Sequence, residues 1–119
     1  MIDHQAENED LLYTIETYRK AKEFGEVLDR LIRNPDFVQV IEENYFKEEA
    51  SRNVMLRADP ECIGNPDMMK MVDNAIIGIG SLRMWIQSQM VMAKGAASSL
   101  EEAEAELRNF ESQQVSAMQ

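Results

Sequence analysis

A single stripe of apolar and small residues runs through the C-terminal half of the chain, at alternating steps of four and three residues. Of its thirteen members only Gln89 is polar. A stripe held for about six heptads is typical of a helix that keeps one side against a partner helix over roughly 65 Å. The pattern predicts a long, coiled-coil-like C-terminal helix. The stripe, named the seam below, consists of Met68, Val72, Ala75, Ile79, Leu82, Ile86, Gln89, Ala93, Ala96, Leu100, Ala103, Leu107 and Phe110.

A second stripe predicts a first helix from about Asn8 to Arg33. Its members are Leu11, Ile15, Tyr18, Ala21, Leu28 and Ile32, with Leu12, Phe24, Val27 and Leu31 widening it. Gly25 also lies on this stripe, where it lets another backbone come close at a cost of about 1 kcal/mol in helix propensity. Asn34-Pro35 ends the helix, because proline restricts the residue before it and favours the first position of a new helix.

A second helix is predicted from Pro35 to about Tyr45. A third segment, from Lys47 to Arg57, continues it either as the same helix bent or after a short break. Residues 58–64 are expected to form a loop, and Asn65-Pro66 repeats the capping signal at the start of the long helix. The corner and an apolar plug at the hairpin tip are assigned to Asn34, Pro35, Phe37, Ile41, Tyr45 and Phe46.

These elements predict an all-α fold, an elongated antiparallel helical hairpin with a short helical insertion at its tip and a long C-terminal helix. Residues 1–110 are expected to form one helical domain. Residues 111–119 have no apolar repeat and are expected to be a disordered tail.

A second apolar set on the long helix lies outside the seam, and one neighbouring helix cannot bury it. It consists of Met69, Ile76, Ile77, Met84, Trp85, Met90, Val91 and Met92. Either the other helices surround this set in a closed monomer, or it is a self-association surface. The tail of the seam, from Ala93 to Phe110, favours self-association, because it should extend beyond the first helix and so need another partner. The predicted oligomer or partner interface is Met68, Val72, Ile79, Leu82, Trp85, Ile86, Leu100, Leu107 and Phe110.

The net charge of −10 is concentrated at the chain ends. Residues 1–16 carry five acids and no base, and residues 101–119 carry five acids and one base. An antiparallel hairpin would bring both ends to one acidic pole, which suits a basic partner and not direct binding of nucleic acid. The single cysteine, Cys62, excludes an internal disulfide, and the polar residues between Ala75 and Met92 argue against a membrane span, so we expect a soluble protein without a signal peptide.

The residues offer no recognisable catalytic, cofactor or metal site. His4 is the sole histidine. The acidic cluster of Glu42, Glu43, Glu48 and Glu49 suits a solvated helix face, and Gly78-Ile79-Gly80 lies inside a helical repeat with no strand before it. We therefore expect a protein that is not an enzyme and has no cofactor, metal or small-molecule substrate.

One part of the chain, from Leu28 to Pro60, carries a recognisable pattern. It comprises Asn34-Pro35-Asp36-Phe37, then Val40-Ile41, Tyr45-Phe46-Lys47-Glu48-Glu49-Ala50 and Arg52. It resembles small helical proteins of tailed bacteriophages, often encoded among virion-structure and assembly genes. The resemblance implies a phage protein that works through its surfaces and names no ligand or reaction.

The leading hypothesis is a non-enzymatic phage structural or assembly protein that self-associates or docks on a larger virion protein. It would act in the host cytoplasm during assembly, with its presence in the virion left open. The alternatives are a small acidic inhibitor of a host nucleic-acid-binding protein and an assembly chaperone. The inhibitor would need acids along one face, whereas here they lie at the ends.

Overall fold

The computed structural model describes residues 4–118, and these residues contain helices and no strand. The helices are α1 (His4–Arg33), α2 (Pro35–Phe37), a π-helix (Val38–Glu49), α3 (Ala50–Arg57), α4 (Pro60–Ile63) and α5 (Pro66–Met118). The all-α class and the hairpin of a long C-terminal helix against an N-terminal helix are confirmed. The sequence features assigned to residues 1–3, including Asp3 of the acidic N-terminal end, lie outside the described residues, as does Gln119.

Asparagine or aspartate caps the helices that begin with proline. The Asn34 side chain accepts a hydrogen bond from the Asp36 N–H at 2.9 Å, and the Asn65 side chain accepts one from the Met68 N–H at 3.2 Å. The two predicted helix starts are confirmed. The loop predicted over residues 58–64 is wrong in part, because Asp59 caps α4 in the same way, with its carboxylate 2.8 Å from the Glu61 nitrogen.

The α2, π and α3 segments follow one another without a break, which decides between the two predicted alternatives in favour of one continuous helix. Its half-buried positions recur in adjacent pairs every four residues, at 37/38, 41/42, 45/46 and 49/50. On an α-helix a four-residue repeat drifts by about 40° per step. The wider turn of a π-helix opposes this drift, so the repeat stays on one side for three steps.

The chain divides into two compact units, where the sequence predicts a single domain. The first unit comprises residues up to Leu28 and from Met90 onward. Ile15, Leu100 and Ala103 form its buried core, and Leu11, Tyr18 and Leu107 pack against them. Arg19 on α1 lies 3.8 Å from Glu104 on α5, and Gly25 further along α1 lies against Ala93. Residue numbers therefore rise along α1 as they fall along α5, and the two segments are antiparallel.

Backbone proximity in this unit depends on small residues. A Cβ atom built on Gly25 would overlap the Cβ of Ala93 and lie 3.6 Å from the Ala93 Cα. Ala93, Ala96, Leu100 and Ala103 are buried within the chain. The expectation that the tail of the seam extends beyond the first helix is therefore wrong, because the 30 residues of α1 reach it.

The second unit comprises residues 29–89, which include the end of α1, the four short helical segments and the first part of α5. Cys62, Val72 and Ile79 are its buried apolar residues, and Asn53 is buried with them. The Arg57 Nε of α3 lies 2.7 Å from the Asp73 Oδ1 of α5. This ion pair ties the insertion to the long helix.

We predict that Gly25→Ala lowers the free energy of unfolding by about 1–3 kcal/mol, because the added methyl group overpacks against Ala93. Helix propensity alone would instead raise the free energy of unfolding by about 1 kcal/mol, so the sign of the change tells overpacking from propensity. Denaturant unfolding followed by circular dichroism measures it.

The matched controls are Gly95→Ala, at which an added Cβ meets nothing within 4 Å, and the double variant Gly25→Ala/Ala93→Gly. The first should be neutral or stabilising, and the second should recover most of the loss. If Gly25→Ala is as stable as Gly95→Ala, the close approach of these two backbones is refuted.

Candidate interaction surfaces

The chain itself covers most of the predicted interface. Val72, Ile79 and Leu100 are buried. Met68, Ile86, Leu107 and Phe110 are half-buried. Leu82 and Trp85 keep 37% and 49% of their surface exposed. The predicted contact with a second chain thus stays a prediction for those members of the set that still reach the surface.

The residues assigned to the hairpin tip are gathered in one continuous turn-and-helix segment. Asn34 and Pro35 are exposed at the corner, whereas Phe37, Ile41, Tyr45 and Phe46 are half-buried. The rings of Tyr45 and Phe46 are 5.8 Å apart between centroids. The Tyr45 hydroxyl also lies beside α5, 3.9 Å from the point that a Cβ on Gly78 would occupy.

An exposed apolar surface lies on α5 within the second unit, away from the seam. Ile77 and Met84 expose 63% and 70% of their surface. At 100° per residue, positions 74, 77, 78, 81, 84, 85 and 88 share one side of the helix, and none of them is charged. We call this side the outer face; it consists of Asn74, Ile77, Gly78, Ser81, Met84, Trp85 and Ser88.

Sequence reasoning found the large members of the outer face, because Ile77, Met84 and Trp85 belong to the predicted second apolar set. It could not tell them from Met69 and Ile76, which are half-buried. Nor did it select Gly78 and Ser81 as part of the surface. The available signal is the seven-residue spacing from Ile77 to Met84 and from Gly78 to Trp85.

A groove of about 390 Å³ lies in the first unit, between the start of α1 and the last part of α5. Acids from both ends of the chain meet in it, as the antiparallel hairpin predicts. Leu11 and Phe110 give it apolar surface. Its lining consists of Glu7, Asn8, Asp10, Leu11, Thr14, Glu106 and Phe110.

Polar side chains in the insertion form a local network around Glu49. The Arg52 Nε donates to the Glu49 carboxylate at 3.1 Å, and the Asn53 Nδ2 donates to it at 3.2 Å. The hydrogen bond from Arg52 holds the pKa of Glu49 below its ordinary value, and desolvation opposes this only in part. The buried Asn53 also donates to the Glu49 carbonyl at 2.7 Å, a role that no pattern in the sequence indicates.

Several other ion pairs join residues of one helix. Lys47 lies 3.1 Å from Glu43, and Arg33 lies 3.2 Å from Asp29. Across the part of the chain that the structure describes, no three histidine, cysteine, aspartate or glutamate side chains are grouped so that they could hold a metal ion. None of the helices within residues 4–118 combines the length and apolarity needed to cross a bilayer.

We predict that Glu49→Gln lowers the melting temperature at pH 7 and that this deficit shrinks as the pH falls. A carboxylate whose pKa is lowered by folding stabilises the fold above its ordinary pKa of 4.5, and this contribution is lost as the pH drops through the lowered value. Thermal unfolding between pH 7 and about pH 3 measures the effect. Glu48→Gln, an exposed neighbour, is the matched control, and equal pH profiles for the two variants would contradict the prediction.

Comparison of the chain with models of protein families, with curated proteins and with solved structures finds no match. The function is therefore argued from the surfaces described above.

Proposed function

We propose that this chain is a non-enzymatic structural or assembly protein of a tailed bacteriophage, which self-associates through a helix and docks on a larger virion protein. The outer face is the observation that carries the proposal. A helix side with two large apolar residues at least 63% exposed, a half-exposed tryptophan and no charge is costly to leave in water. Such surfaces are typical of protein interfaces, where charged residues are depleted and aromatic residues and methionine enriched.

The bacteriophage assignment rests on the resemblance in residues 28–60. Its pattern residues run from the corner through the π-helix into the start of α3, and Tyr45 and Phe46 among them are half-buried. These side chains pack the insertion, so their spacing is explained by the fold alone. The pattern supports a relationship to the small helical phage proteins. The residues that bind a partner are then expected elsewhere in the chain.

The acidic groove suits the second part of the proposal, docking on a larger partner. Glu7, Asp10 and Glu106 would attract a basic surface, and Leu11 and Phe110 offer apolar contact once it arrives. Charge complementarity of this kind raises association rates and fixes orientation. On this proposal the chain acts in the host cytoplasm during assembly. Whether it is also present in the finished particle is a question for the test below.

The test is affinity capture with the tagged chain from cells infected by the phage that encodes it, beside uninfected cells. We expect a virion protein to be captured from infected cells only. The groove variant Glu7→Gln/Asp10→Asn should capture several-fold less at low salt, because the attraction is removed. The control variant Glu23→Gln/Asp36→Asn changes the net charge equally outside the groove and should capture as much as the native chain.

Other outcomes separate the rival functions. Salt-sensitive capture of a host polymerase, nuclease or repressor from uninfected cells would favour the acidic inhibitor and overturn the proposal. Capture of a virion protein before assembly, with this chain absent from purified particles, would mean an assembly chaperone. Finding the chain in purified particles would mean a structural component.

A further inference from the structure

We infer that the acidic groove of the first unit binds an amphipathic helix of the partner, in which lysine or arginine residues flank an apolar stripe. The inference rests on the docking part of the proposed function and names the chemistry of the element that docks. It concerns the start of α1 and the last part of α5, which belong to the same compact unit.

The register of the two helices places an acid of the groove opposite an apolar residue. Gly25 on α1 lies against Ala93 on α5, and the helices run antiparallel. Leu11 lies fourteen residues before Gly25. Glu106 lies thirteen residues after Ala93, which puts it at nearly the same level as Leu11 on the opposite wall.

The next level of the groove repeats this arrangement with the walls exchanged. Glu7 lies about one turn before Leu11 on α1. On the other wall, Phe110 lies about one turn after Glu106. The two acids therefore occupy diagonal corners, roughly 10 Å apart, with an apolar side chain at each of the other corners. This spacing suits a ligand with separated cations and an apolar part between them, rather than a single metal ion.

The walls of the groove offer side chains and no free backbone groups. Residues 8–14 and 104–110 are α-helical, so their N–H and C=O groups are bonded within each helix. An extended peptide would find no backbone here to pair with, whereas a helix satisfies its own backbone groups. Helices that dock in grooves present apolar residues at positions i, i+3 or i+4, and i+7.

Charge selects lysine and arginine on both flanks of that apolar stripe. Packing the acidic start of α1 beside the acidic end of α5 brings like charges together, and a cationic partner relieves their repulsion. Ion pairs at the flanking positions of adjacent helices also decide partner and orientation in coiled coils. Glu7 and Asp10 provide such positions on one wall, and Glu106 provides one on the other.

The size of the groove indicates a weak contact. Its volume of about 390 Å³ is that of a small ligand pocket, which accommodates an apolar side chain at each of the two levels. So small an interface is typical of transient complexes. We therefore expect dissociation constants in the micromolar range for an isolated helix.

The first experiment titrates the purified full chain with two fluorescein-labelled peptides of identical composition. In the amphipathic peptide, leucines recur on one side of a helix with lysines on both flanks; in the permuted peptide, the leucines are spread around the helix. We expect the amphipathic peptide to bind at least tenfold more tightly at low salt, measured by fluorescence anisotropy. Equal dissociation constants would overturn the inference, because charge alone would then account for binding.

The second experiment compares Thr14→Arg with Thr17→Arg. Both add the same charge to the same helix, but only Thr14 lines the groove. We expect Thr14→Arg to bind the amphipathic peptide at least tenfold more weakly, because the added cation occupies the groove, and Thr17→Arg to bind almost as well as the native chain. Circular dichroism checks that both keep the native helix content. Equal losses in the two variants would overturn the inference.

The third experiment locates the peptide on the native chain by nuclear magnetic resonance. The amphipathic peptide should shift the amide signals of residues 7–14 and 104–110 and leave those of the outer face unchanged. Spermine, which carries several positive charges and no large apolar side chain, should not displace the peptide at an equal concentration of charge. Shifts confined to the outer face, or displacement by spermine, would overturn the inference.

Failure here is distinct from failure of the proposed function. If Thr14→Arg captures a virion protein as well as the native chain does, the groove is refuted as the docking site while docking through another surface stands. If the amphipathic peptide binds in the groove but the chain captures no virion protein, the phage role is refuted and the inference stands.

Discussion

The close approach of two helix backbones is the constraint on which the first unit depends. Gly25 on α1 faces Ala93 on α5 so closely that a Cβ on residue 25 would overlap the Cβ of Ala93. The seam continues from there with Ala96 and Ala103 among its buried members. Small residues bury little apolar area each, but they bring whole backbones into contact and allow Leu100 and Ile15 to fill the remaining space. The stability of this helix pair therefore depends more on how closely the two helix surfaces fit than on the size of the side chains between them.

The seam illustrates what periodicity can predict. Twelve of its thirteen positions are buried or half-buried, and the remaining one, Leu82, is only partly exposed. This succeeds because the repeat records which side of a helix meets a neighbour. It does not record how long the neighbouring helix is, so it cannot predict how far along α5 the α1 helix reaches. Residues 111–118, which lack the repeat, are nevertheless helical at the end of α5, while their predicted disorder in solution stays a prediction.

The surfaces were harder to predict than the core, because exposure is decided by the neighbours of a helix. Ile76 and Ile77 are adjacent and chemically identical, yet the first is half-buried and the second is exposed. Neighbouring residues of a helix point about 100° apart, so only the surroundings of α5 distinguish them. The acidic groove was easier to predict, because the acids are concentrated at the two chain ends and antiparallel packing brings those ends together. Each unit thus carries one distinctive surface, acidic in the first and apolar and uncharged in the second.

The π-helix has a consequence for how this chain can change. Because each of its turns holds more residues than an α-turn, it sets the rotational phase of everything that follows it in the same continuous helix. That phase directs Asn53 inward and brings Arg57 to Asp73. A single inserted or deleted residue between Val38 and Glu49 would rotate α3, so that Asn53 would no longer point inward and Arg57 would turn away from Asp73. The number of residues in this segment is therefore constrained as tightly as their identity.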